Sequence, residues 1–347
     1  MVESEKISSK QGVSIIVPCR NEVDYIDRFI ESILAQTRNR DIEILIADGM
    51  SNDGTRERLL KLAATDERVK IVENPEKIVS TGLNRAIKLS SNEIIIRMDV
   101  HTEYADNYIE QCVKVLEDTG ADNVGGAWCA KGRSFIQKAI ALAFQSPFSS
   151  GAAASHKLDY EGVVDSVYLG CWKKSAFEKF GLFDVELIRN QDDELNLRIS
   201  RMGGKIWQSP KIRSWYYPRS SLISLFKQYM QYGYWKVRVM QKHKLPASIR
   251  HLVPGAFVST MLALILVALF SSLAGQLLMG LLVLYLSATV IASFITCKAN
   301  WKYMIVMPLV FIAYHIGYGY GFNRGLLDFF VLKKGAGNKY VELTRKG

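Results

Sequence analysis

Residues 13–22 read VSIIVPCRNE, an apolar run that ends in a polar turn. Further apolar runs occupy residues 42–47, 69–72 and 93–98, and patterns with helical spacing lie between them. Short continuous apolar runs are typical of strands that are buried on both faces. The alternation of strand and helix therefore predicts an α/β domain with a mostly parallel central sheet.

The C-terminal part of the chain has a different composition. Residues 252–295 contain no Asp, Glu, Lys or Arg, and residues 271–276 in their middle are mostly small or polar. An apolar stretch of this length with such an interruption predicts a transmembrane hairpin. We therefore predict a membrane domain at residues 246–332.

A third apolar segment covers residues 303–325, and glycines and polar side chains interrupt it at residues 317–324. Three full crossings would place the basic tail, residues 333–347, outside the cell. That position opposes the preference of Lys and Arg for the cytoplasmic side. We therefore predict that the third segment bends back or lies partly in the interface, and that the tail is cytoplasmic.

Residues 219–245 predict an amphipathic helix before the hairpin. Basic residues flank its apolar stripe, which consists of Leu222, Phe226, Tyr229, Met230, Gly233, Val237 and Met240. This pattern is typical of a helix that lies on a bilayer surface. The alternative is a helix that packs its stripe against the protein core.

The composition limits where the protein can reside and which molecules it can bind. Residues 1–11 are polar and charged, which argues against a cleaved secretory signal and predicts a cytoplasmic head on the inner cell membrane. The net charge is +10, and many basic residues lie near the apolar segments. Anionic headgroups attract Lys and Arg, so we expect membrane lipids rather than nucleic acid as partners.

The scattered cysteines are expected to be reduced thiols: Cys19, Cys112, Cys129, Cys171 and Cys297.

Polar turns follow the first two predicted strands. Pro18, Arg20 and Glu22 follow the first strand, and Asp48 ends the second in the turn ADGMSNDGT. Such turns lie beside bound ligand in open parallel sheets, where Asp48 could accept hydrogen bonds from a base or ribose. Each turn alone is equally consistent with a structural role. Neither strand is followed by a glycine-rich dinucleotide or ATP loop.

The fourth predicted strand ends in Asp99-Val100-His101. In an extended chain, residues two apart point to the same side, so the carboxylate and the imidazole could hold a divalent cation together. A metal there would offset the charge of a departing diphosphate. The alternative is a strand-end aspartate with an incidental histidine.

Three acidic residues, Asp192, Asp193 and Glu194, begin a predicted helix. Acidic side chains favour a helix N-terminus for electrostatic reasons alone. One of the carboxylates could also remove the proton from an attacking hydroxyl. The residues by themselves leave both roles open.

These sites, in this order, resemble the family-2 inverting glycosyltransferases and their GT-A nucleotide-diphospho-sugar transferase domain, over roughly the first 240 residues. Residues 18–22 resemble the opening turn of the family, and residues 48–55 its acidic nucleotide turn. Residues 81–86 resemble its donor-side helix, and residues 99–101 its Asp-x-Asp metal motif. Residues 180–192 resemble the segment that ends in its Glu-Asp pair.

The resemblance implies a metal-dependent hexosyltransferase with residues 1–218 as the catalytic domain. It implies Mg²⁺ or Mn²⁺ at Asp99 and His101, and a general base at Asp192. It assigns donor contacts to Pro18, Arg20, Glu22, Asp48, Asn84, Arg85 and Asp99. It assigns the acceptor side to Gly170, Cys171, Trp172, Gln231 and Trp235. Trp172 would stack on a sugar ring, although a buried core tryptophan is the more frequent case.

Within the family, the chain is most similar to ExoA-type enzymes of exopolysaccharide (succinoglycan) assembly. This similarity implies transfer of glucose from UDP-glucose to a polyprenyl-diphosphate-linked sugar. Transfer to polyprenyl monophosphate, or nucleotide-sugar binding without catalysis, are the alternatives. Residues 231–235 resemble the Gln-x-x-Arg-Trp motif of processive synthases, but Tyr234 replaces Arg, which favours single-sugar transfer. His101 and Gln191 are further departures, from the second metal Asp and from the Glu of the Glu-Asp pair.

Overall fold

The structure is a computed structural model, and it describes residues 12–36, 41–151, 153–245 and 248–335. The predictions for residues 1–11 and for the tail from residue 336 onward lie outside these ranges. The strands are β1 Val13–Cys19, β2 Ile42–Asp48, β3 Val69–Glu73, β4 Ile94–Arg97, β5 Glu103–Tyr104, β6 Asn123–Gly126, β7 Cys129–Ala130, β8 Gly162–Val163, β9 Tyr168–Lys173, β10 Ile206–Gln208 and β11 Ser214–Tyr216. The helices are α1 Ile26–Gln36, α2 Thr55–Thr65, α3 Val79–Leu89, α4 Tyr108–Thr119, α5 Phe135–Phe144, α6 Pro147–Ser150, α7 Lys174–Phe180, α8 Gln191–Arg201, α9 Leu222–His243, α10 Val253–Ala268, α11 Ser272–Cys297 and α12 Met307–Leu326.

The described residues form two compact units. The first unit contains those within Met1–Trp128, Leu158–Val185 and Leu195–Ser214. The second contains those within Cys129–Lys157, Glu186–Glu194 and Trp215–Gly347. The functional domain boundaries that we predicted at residues 218, 245 and 332 stay predictions.

The first unit is built on an eight-stranded sheet with the order β3-β2-β1-β4-β9-β6-β10-β8. Strands β3, β2, β1 and β4 are mutually parallel, and β6 is parallel to β10. Strand β9 is antiparallel to both β4 and β6, and β8 is antiparallel to β10. The mostly parallel α/β sheet is therefore confirmed. The antiparallel β9 in its centre was not predicted.

Strands β1, β2 and β4 of the parallel half of the sheet are mostly apolar because they are buried on both faces. Every residue of β2 is buried, and all of β1 except Pro18 is buried. Helix α3 packs on both strands and contributes Leu83 and Ala86 to the core. The strands predicted from continuous apolar runs are confirmed because a strand covered on both faces needs apolar side chains on both.

A buried carboxylate, Glu43, lies in β2 beside the beginning of β1. Its side chain is 5% exposed, and Lys70 Nζ donates to it at 2.8 Å. Ser14 Oγ donates to Glu43 Oε1 at 2.6 Å, and Ser91 donates through both N–H and hydroxyl. Burial raises the pKa of Glu43, but the hydrogen bonds from Lys70, Ser14 and Ser91 outweigh burial and lower that pKa to about 2.

Replacing Glu43 with Gln should destabilise the protein by about 2 kcal/mol, because the amide cannot satisfy these charge-assisted donors. We expect the melting temperature in detergent to fall by roughly 4–8 °C at neutral pH. A lowered folded-state pKa stabilises the native state above the ordinary pKa of 4.5 and loses that effect as the pH falls through about 2. The difference between wild type and variant should therefore shrink over this acidic range. A difference that persists unchanged at the acidic end would contradict the charge-based explanation.

The second unit is organised around the packing of α9 on α12. A Cβ at Gly317 would lie 2.8 Å from the Phe226 carbonyl oxygen. A Cβ at Gly321 would overlap the Met230 carbonyl oxygen, and one at Gly233 would overlap that of Tyr318. The two backbones therefore approach so closely that only glycine fits at these crossings.

We predicted that the third apolar segment bends back or lies partly in the interface. This packing bears on the bend only, and the interfacial position of the segment stays a prediction. Helix α12 runs without interruption from Met307 to Leu326, so the glycines do not bend it. They mark its contacts with α9, and Gly319 marks a contact with the carbonyl oxygen of Pro254 in α10. The stripe of α9 around Met230 and Gly233 thus packs against α12, as in the core-packing alternative. An interfacial position for α9 stays a prediction.

The predicted hairpin forms two helices that are separated by residues 269–271. Ile249–Ala268 and Ser272–Cys297 are each long and apolar enough to cross a membrane by length and composition. Most of their large apolar side chains are exposed in the protein, including Phe270, which is 91% exposed at the turn. This exposure is what a helix pair that faces lipid would show.

Candidate active site

The predicted donor residues meet at one edge of the first unit's sheet. Strand β1 lies between β2 and β4, with Cys19 opposite Asp48 and Ile16 opposite Arg97. Because these strands are parallel, their carboxyl ends share an edge. The turns after β1, β2 and β4 are therefore neighbours, as open parallel sheets require for a ligand crevice.

The turns after β1 and β2 are bonded to each other. The Asn21 N–H donates to Ser51 Oγ at 2.9 Å, and the Asn52 N–H donates to Asn21 Oδ1 at 3.0 Å. The Gly49 N–H donates to the Cys19 carbonyl oxygen at 2.8 Å. Asn21 and Met50 both adopt positive φ, at 56° and 57°, a conformation that costs energy outside glycine. These hydrogen bonds hold both residues there.

The same bonding continues into the start of α2. The Glu22 N–H donates to Thr55 Oγ1 at 2.8 Å, and the Val23 N–H donates to Asp53 Oδ2 at 3.3 Å. Burial raises the pKa of Asp53, but hydrogen bonds from Thr55 and Val23 outweigh burial and leave that pKa below its ordinary value. Asn21 and Asp53 are thus positioning residues that we did not predict. Their place in the two turn motifs is the only signal in the sequence.

Asp48 is turned towards its own loop. Its side chain is fully buried, and it accepts from Ser51 N–H at 3.1 Å and from Arg56 Nη1 at 2.9 Å. Arg20, which follows β1, lies across Gly49. Asp48 therefore stabilises the turn, and the base or ribose contact that we predicted for it stays a prediction, as do the donor contacts of Pro18 and Arg20.

The turn after β4 brings two predicted residues together. His101 Nδ1 lies 3.6 Å from Glu22 Oε1, and both side chains are mostly buried. Asp99 pairs with Arg97 at 3.1 Å, and its backbone N–H donates to the Tyr104 hydroxyl at 2.6 Å. Among the residues that the structure describes, no three His, Cys, Asp or Glu side chains are arranged to hold a metal ion. The cation site that we predicted at Asp99 and His101 stays a prediction.

Two predicted donor residues on α3 have other partners. The Asn84 amide donates to the Phe183 carbonyl oxygen at 2.8 Å and accepts from the Phe183 N–H at 3.0 Å. Arg85 pairs with Glu76 at 2.7 Å on the surface. Asn84 therefore holds the Phe183 segment in place, and the donor contacts of Asn84 and Arg85 stay predictions. A side-chain amide can donate one hydrogen bond to a peptide group and accept another from it. The sequence pattern does not reveal this pairing.

The predicted acceptor residues of β9 lie in the core of the first unit. Trp172 is 2% exposed and packs against Phe177 and Phe183, as in the alternative of a buried core tryptophan, and its place on the acceptor side stays a prediction. Cys171 is fully buried. Gly170 has φ 123°, and a Cβ there would overlap the Trp172 ring. These residues are buried because β9 lies in the centre of the sheet, between β4 and β6, where both faces of the strand are covered.

The acidic start of α8 is bonded within the second unit. Asp193 pairs with Lys236 at 2.6 Å, and Glu194 pairs with His243 at 2.9 Å. Burial raises the pKa of Asp193, but the Lys236 ammonium outweighs burial and holds that pKa below its ordinary value. Asp192 accepts from the Asp193 N–H at 3.0 Å. Asp193 and Glu194 thus tie the start of α8 to α9, and the role of Asp192 as general base stays a prediction.

Lys236 and His243 are positioning residues that we did not predict. They are seven residues apart and therefore lie on the same face of α9. Gln231 accepts from Arg189 Nε at 3.1 Å, so it too binds the segment before α8. Trp235 is fully buried beside Tyr234 and Phe329, and its place on the acceptor side stays a prediction. Complementary charge on α8 and α9 was the signal that could have revealed the pairs.

Comparisons with known proteins agree with this arrangement. The family described as "Glycosyl transferase family 2" matches residues 14–180. "Succinoglycan biosynthesis protein ExoA" of Rhizobium meliloti is 34% identical over 256 residues, which cover 73% of this chain and 77% of that protein. A Methanococcus voltae protein is 28% identical over 326 residues, which cover 91% of this chain and 97% of that protein. Its name is dolichyl N-acetyl-α-D-glucosaminyl phosphate 3-β-D-2,3-diacetamido-2,3-dideoxy-β-D-glucuronosyltransferase.

Solved structures show the same fold. The mannosyltransferase PcManGT of Pyrobaculum calidifontis, solved with GDP-Man and Mn²⁺, aligns with a TM-score of 0.60 at 19% identity. The alignment covers 90% of this chain and 88% of that protein. The family match and the similarity to ExoA show the family, and the mostly parallel sheet and the likeness to PcManGT show the fold. We conclude that the chain belongs to glycosyl transferase family 2 and has the GT-A fold.

Proposed function

We propose that the chain is a membrane-bound inverting glycosyltransferase that moves a sugar from a nucleotide diphosphate to a lipid-linked acceptor. The observation that carries this proposal is the shared sheet edge, where Glu22, Asp48, Asp99 and His101 follow three adjacent parallel strands. Family membership supports the transfer of a sugar. The names of the relatives support a role in polysaccharide or lipid-linked glycan assembly.

On the donor side, the two bonded turns would hold the nucleotide. Pro18, Arg20 and Glu22 come from the first turn and Asp48 from the second, and Arg85 would act near the diphosphate. Asp99 and His101 supply oxygen and imidazole, which suit a divalent cation, and the diphosphate would complete the coordination. When bound, Mg²⁺ or Mn²⁺ offsets the negative charge that grows on the leaving diphosphate. The Mn²⁺ in the PcManGT structure supports this assignment.

On the acceptor side, Asp192 would remove the proton from the attacking hydroxyl. The hydroxyl attacks the anomeric carbon from the face opposite the departing diphosphate, so the configuration inverts in a single step. The carboxylate needs a fixed position for proton transfer. The ion pairs of its neighbours with Lys236 and His243 support such a position.

The specific substrates are part of the proposal. We infer a UDP-hexose donor, with UDP-glucose first, and a polyprenyl-diphosphate-linked sugar as acceptor, from the similarity to ExoA. The Methanococcus relative is named for a dolichyl-phosphate-linked acceptor, which supports the lipid carrier. The helices of the hairpin would anchor the enzyme in the inner cell membrane with its site on the cytoplasmic face, where a lipid-bound acceptor can reach it.

A membrane assay tests this function. Membranes containing the full chain are incubated with a panel of radiolabelled nucleotide sugars, with and without a chelator, and the lipids are then extracted. We expect label in the lipid phase from one UDP-hexose and a loss of at least about tenfold with chelator, because the charge on the diphosphate is no longer offset.

The controls separate the alternatives. Added Mg²⁺ or Mn²⁺ should restore the chelated sample. Acceptors with monophosphate and diphosphate lipids distinguish transfer onto polyprenyl monophosphate from transfer onto a lipid-linked sugar. Nucleotide binding with no label in lipid under any condition would indicate a non-catalytic binder and contradict the proposal.

A further inference from the structure

An arginine from the preceding strand holds the carboxylate of Asp99. Arg97 is the last residue of β4, and Asp99 follows two residues later. Arg97 Nε donates to Asp99 Oδ1 at 3.1 Å, and Arg97 Nη2 donates to Asp99 Oδ2 at 3.4 Å. The two side chains are only 8% and 15% exposed, so water screens their attraction less than it screens a pair on the surface. Both oxygens of the carboxylate are therefore in contact with one guanidinium group.

The backbone on both sides of this pair is held in place. Arg97 lies opposite Ile16 of β1, and the Met98 N–H donates to the Ile16 carbonyl oxygen at 3.1 Å. The Asp99 N–H donates to the Tyr104 hydroxyl at 2.6 Å, and that hydroxyl donates to the Asp99 carbonyl oxygen at 3.1 Å. The Asp99 carboxylate can therefore move relative to Arg97 mainly by rotation of its own side chain.

The same carboxylate is one of the two ligands that we propose for a divalent cation. The donor chemistry fits such an ion, because Asp99 offers carboxylate oxygens and His101 offers an imidazole nitrogen. His101 Nδ1 also lies 3.6 Å from Glu22 Oε1, so a second carboxylate is close to the imidazole. Arg97, however, contacts the oxygens that the cation would use. Its positive charge therefore opposes a cation at Asp99.

A nucleoside diphosphate changes this balance. Its phosphate oxygens carry negative charge and are ligands for a divalent cation as well as acceptors for a guanidinium group. When the diphosphate is bound, the cation gains ligands that Arg97 does not contact, and the repulsion between the two positive charges is offset. The cation and the diphosphate should therefore strengthen each other's binding, and by linkage the same factor applies in both directions.

We propose that Arg97 acts through Asp99: it competes with a divalent cation for the carboxylate, so that the cation binds tightly only together with a nucleoside diphosphate. The inference rests on the proposed function and adds a positioning residue that couples the two ligands of the donor site. A purely supporting arginine predicts the opposite effect. Removing a residue that only orients a metal ligand weakens metal binding, typically by about 10- to 100-fold. The direction of the change separates the two roles.

Titration of the full chain, purified in detergent, with Mn²⁺ tests the coupling. Electron paramagnetic resonance measures the free Mn²⁺, with and without UDP. In wild type, UDP should lower the dissociation constant for Mn²⁺ at least about tenfold, within the range that is typical of coupled sites. Arg97→Gln removes the charge, so it should lower the dissociation constant without UDP about tenfold, and the enhancement by UDP should shrink accordingly. Melting temperatures verify that each variant is folded.

Three further variants control for effects other than the charge. Arg97→Lys keeps the positive charge, so its Mn²⁺ affinity without UDP should stay near that of wild type. Arg68 makes the same fork two residues after Asp66, with Nε to Oδ1 at 2.9 Å and Nη2 to Oδ2 at 2.6 Å. Arg68→Gln should leave Mn²⁺ binding unchanged. Arg97→Gln combined with Asp99→Asn should show no gain, because the contested carboxylate is absent. A gain in affinity in any of these three would contradict the competition at Asp99.

The outcomes separate this inference from the proposed function. An affinity of Arg97→Gln for Mn²⁺ without UDP that is equal to or weaker than that of wild type would overturn the inference. Wild type that binds Mn²⁺ equally tightly with and without UDP would overturn it as well, and this measurement requires no variant. Neither titration depends on sugar transfer. Tighter Mn²⁺ binding by Arg97→Gln, in a protein that labels no lipid, would support the competition while the proposed reaction fails.

Discussion

Asp192→Asn should lower the turnover of the purified enzyme by at least about a hundredfold, the lower end of what a general base contributes. The amide has almost the same shape but cannot accept the proton of the attacking hydroxyl. The dissociation constant for UDP should stay near that of wild type, because the donor residues that we propose lie in the turns after β1, β2 and β4. Single-turnover kinetics and nucleotide titration measure the two quantities.

The adjacent carboxylate offers a matched control. Asp193→Asn loses the 2.6 Å pair with Lys236, so we expect a lower melting temperature but a folded fraction that retains most of its turnover. Asp118→Asn, on the exposed surface of α4, should change neither quantity. A near-normal turnover for Asp192→Asn, or a larger loss for Asp193→Asn, would remove Asp192 from the role of base.

Gly321→Leu should destabilise the second unit by about 3 kcal/mol, at the upper end of typical overpacking costs. Any Cβ at this position overlaps the Met230 carbonyl oxygen, and a backbone atom cannot move aside as a flexible side chain can. Helices α9 and α12 would have to separate along their length. We expect the melting temperature to fall by roughly 10 °C and much of the protein to elute as aggregate during size-exclusion chromatography.

Gly280→Leu is the control for the general effect of replacing a helical glycine with leucine. Gly280 lies on α11, and a Cβ there meets no atom within 4 Å. The substitution also removes a glycine from a helix, which by itself favours the helix slightly. We expect Gly280→Leu to melt at or slightly above the wild-type temperature. Equal losses for both variants would show that polarity or lipid contact, rather than the close helix crossing, is responsible.

The parts of the fold that follow a local pattern could be predicted. Strands β1 to β4 begin within one residue of their predicted positions, because a strand covered on both faces must be apolar throughout. The two helices of the hairpin follow from length and from the absence of charge. That the predicted donor turns share one edge of the sheet follows once the strands are parallel.

Partners across the chain could not be predicted. The sequence shows an asparagine at position 84 and a tryptophan at position 172, but not that Phe183 meets both. The glycines of α12 have the composition of a helix break. Their actual effect depends on the backbone of α9, which lies about 90 residues earlier in the chain. The glycines allow the two helix backbones to make close contact, and this contact takes the place of side-chain packing.

The hydrogen bonds of α9 with other segments show the same limit. Gln228 and Gln231 have the spacing of one helix face, and the sequence gives this much. Only the fold shows that each accepts from an arginine outside the helix.

The hydrogen bonds between the loops after β1 and β2 have a consequence for engineering. Asn21 needs Ser51 and Asn52, and Glu22 needs Thr55, so neither loop keeps its shape with a foreign counterpart. Chimeras designed to change nucleotide preference should therefore transplant both loops together as one module. Swapping either alone would yield enzymes that bind every donor poorly rather than ones with altered selectivity.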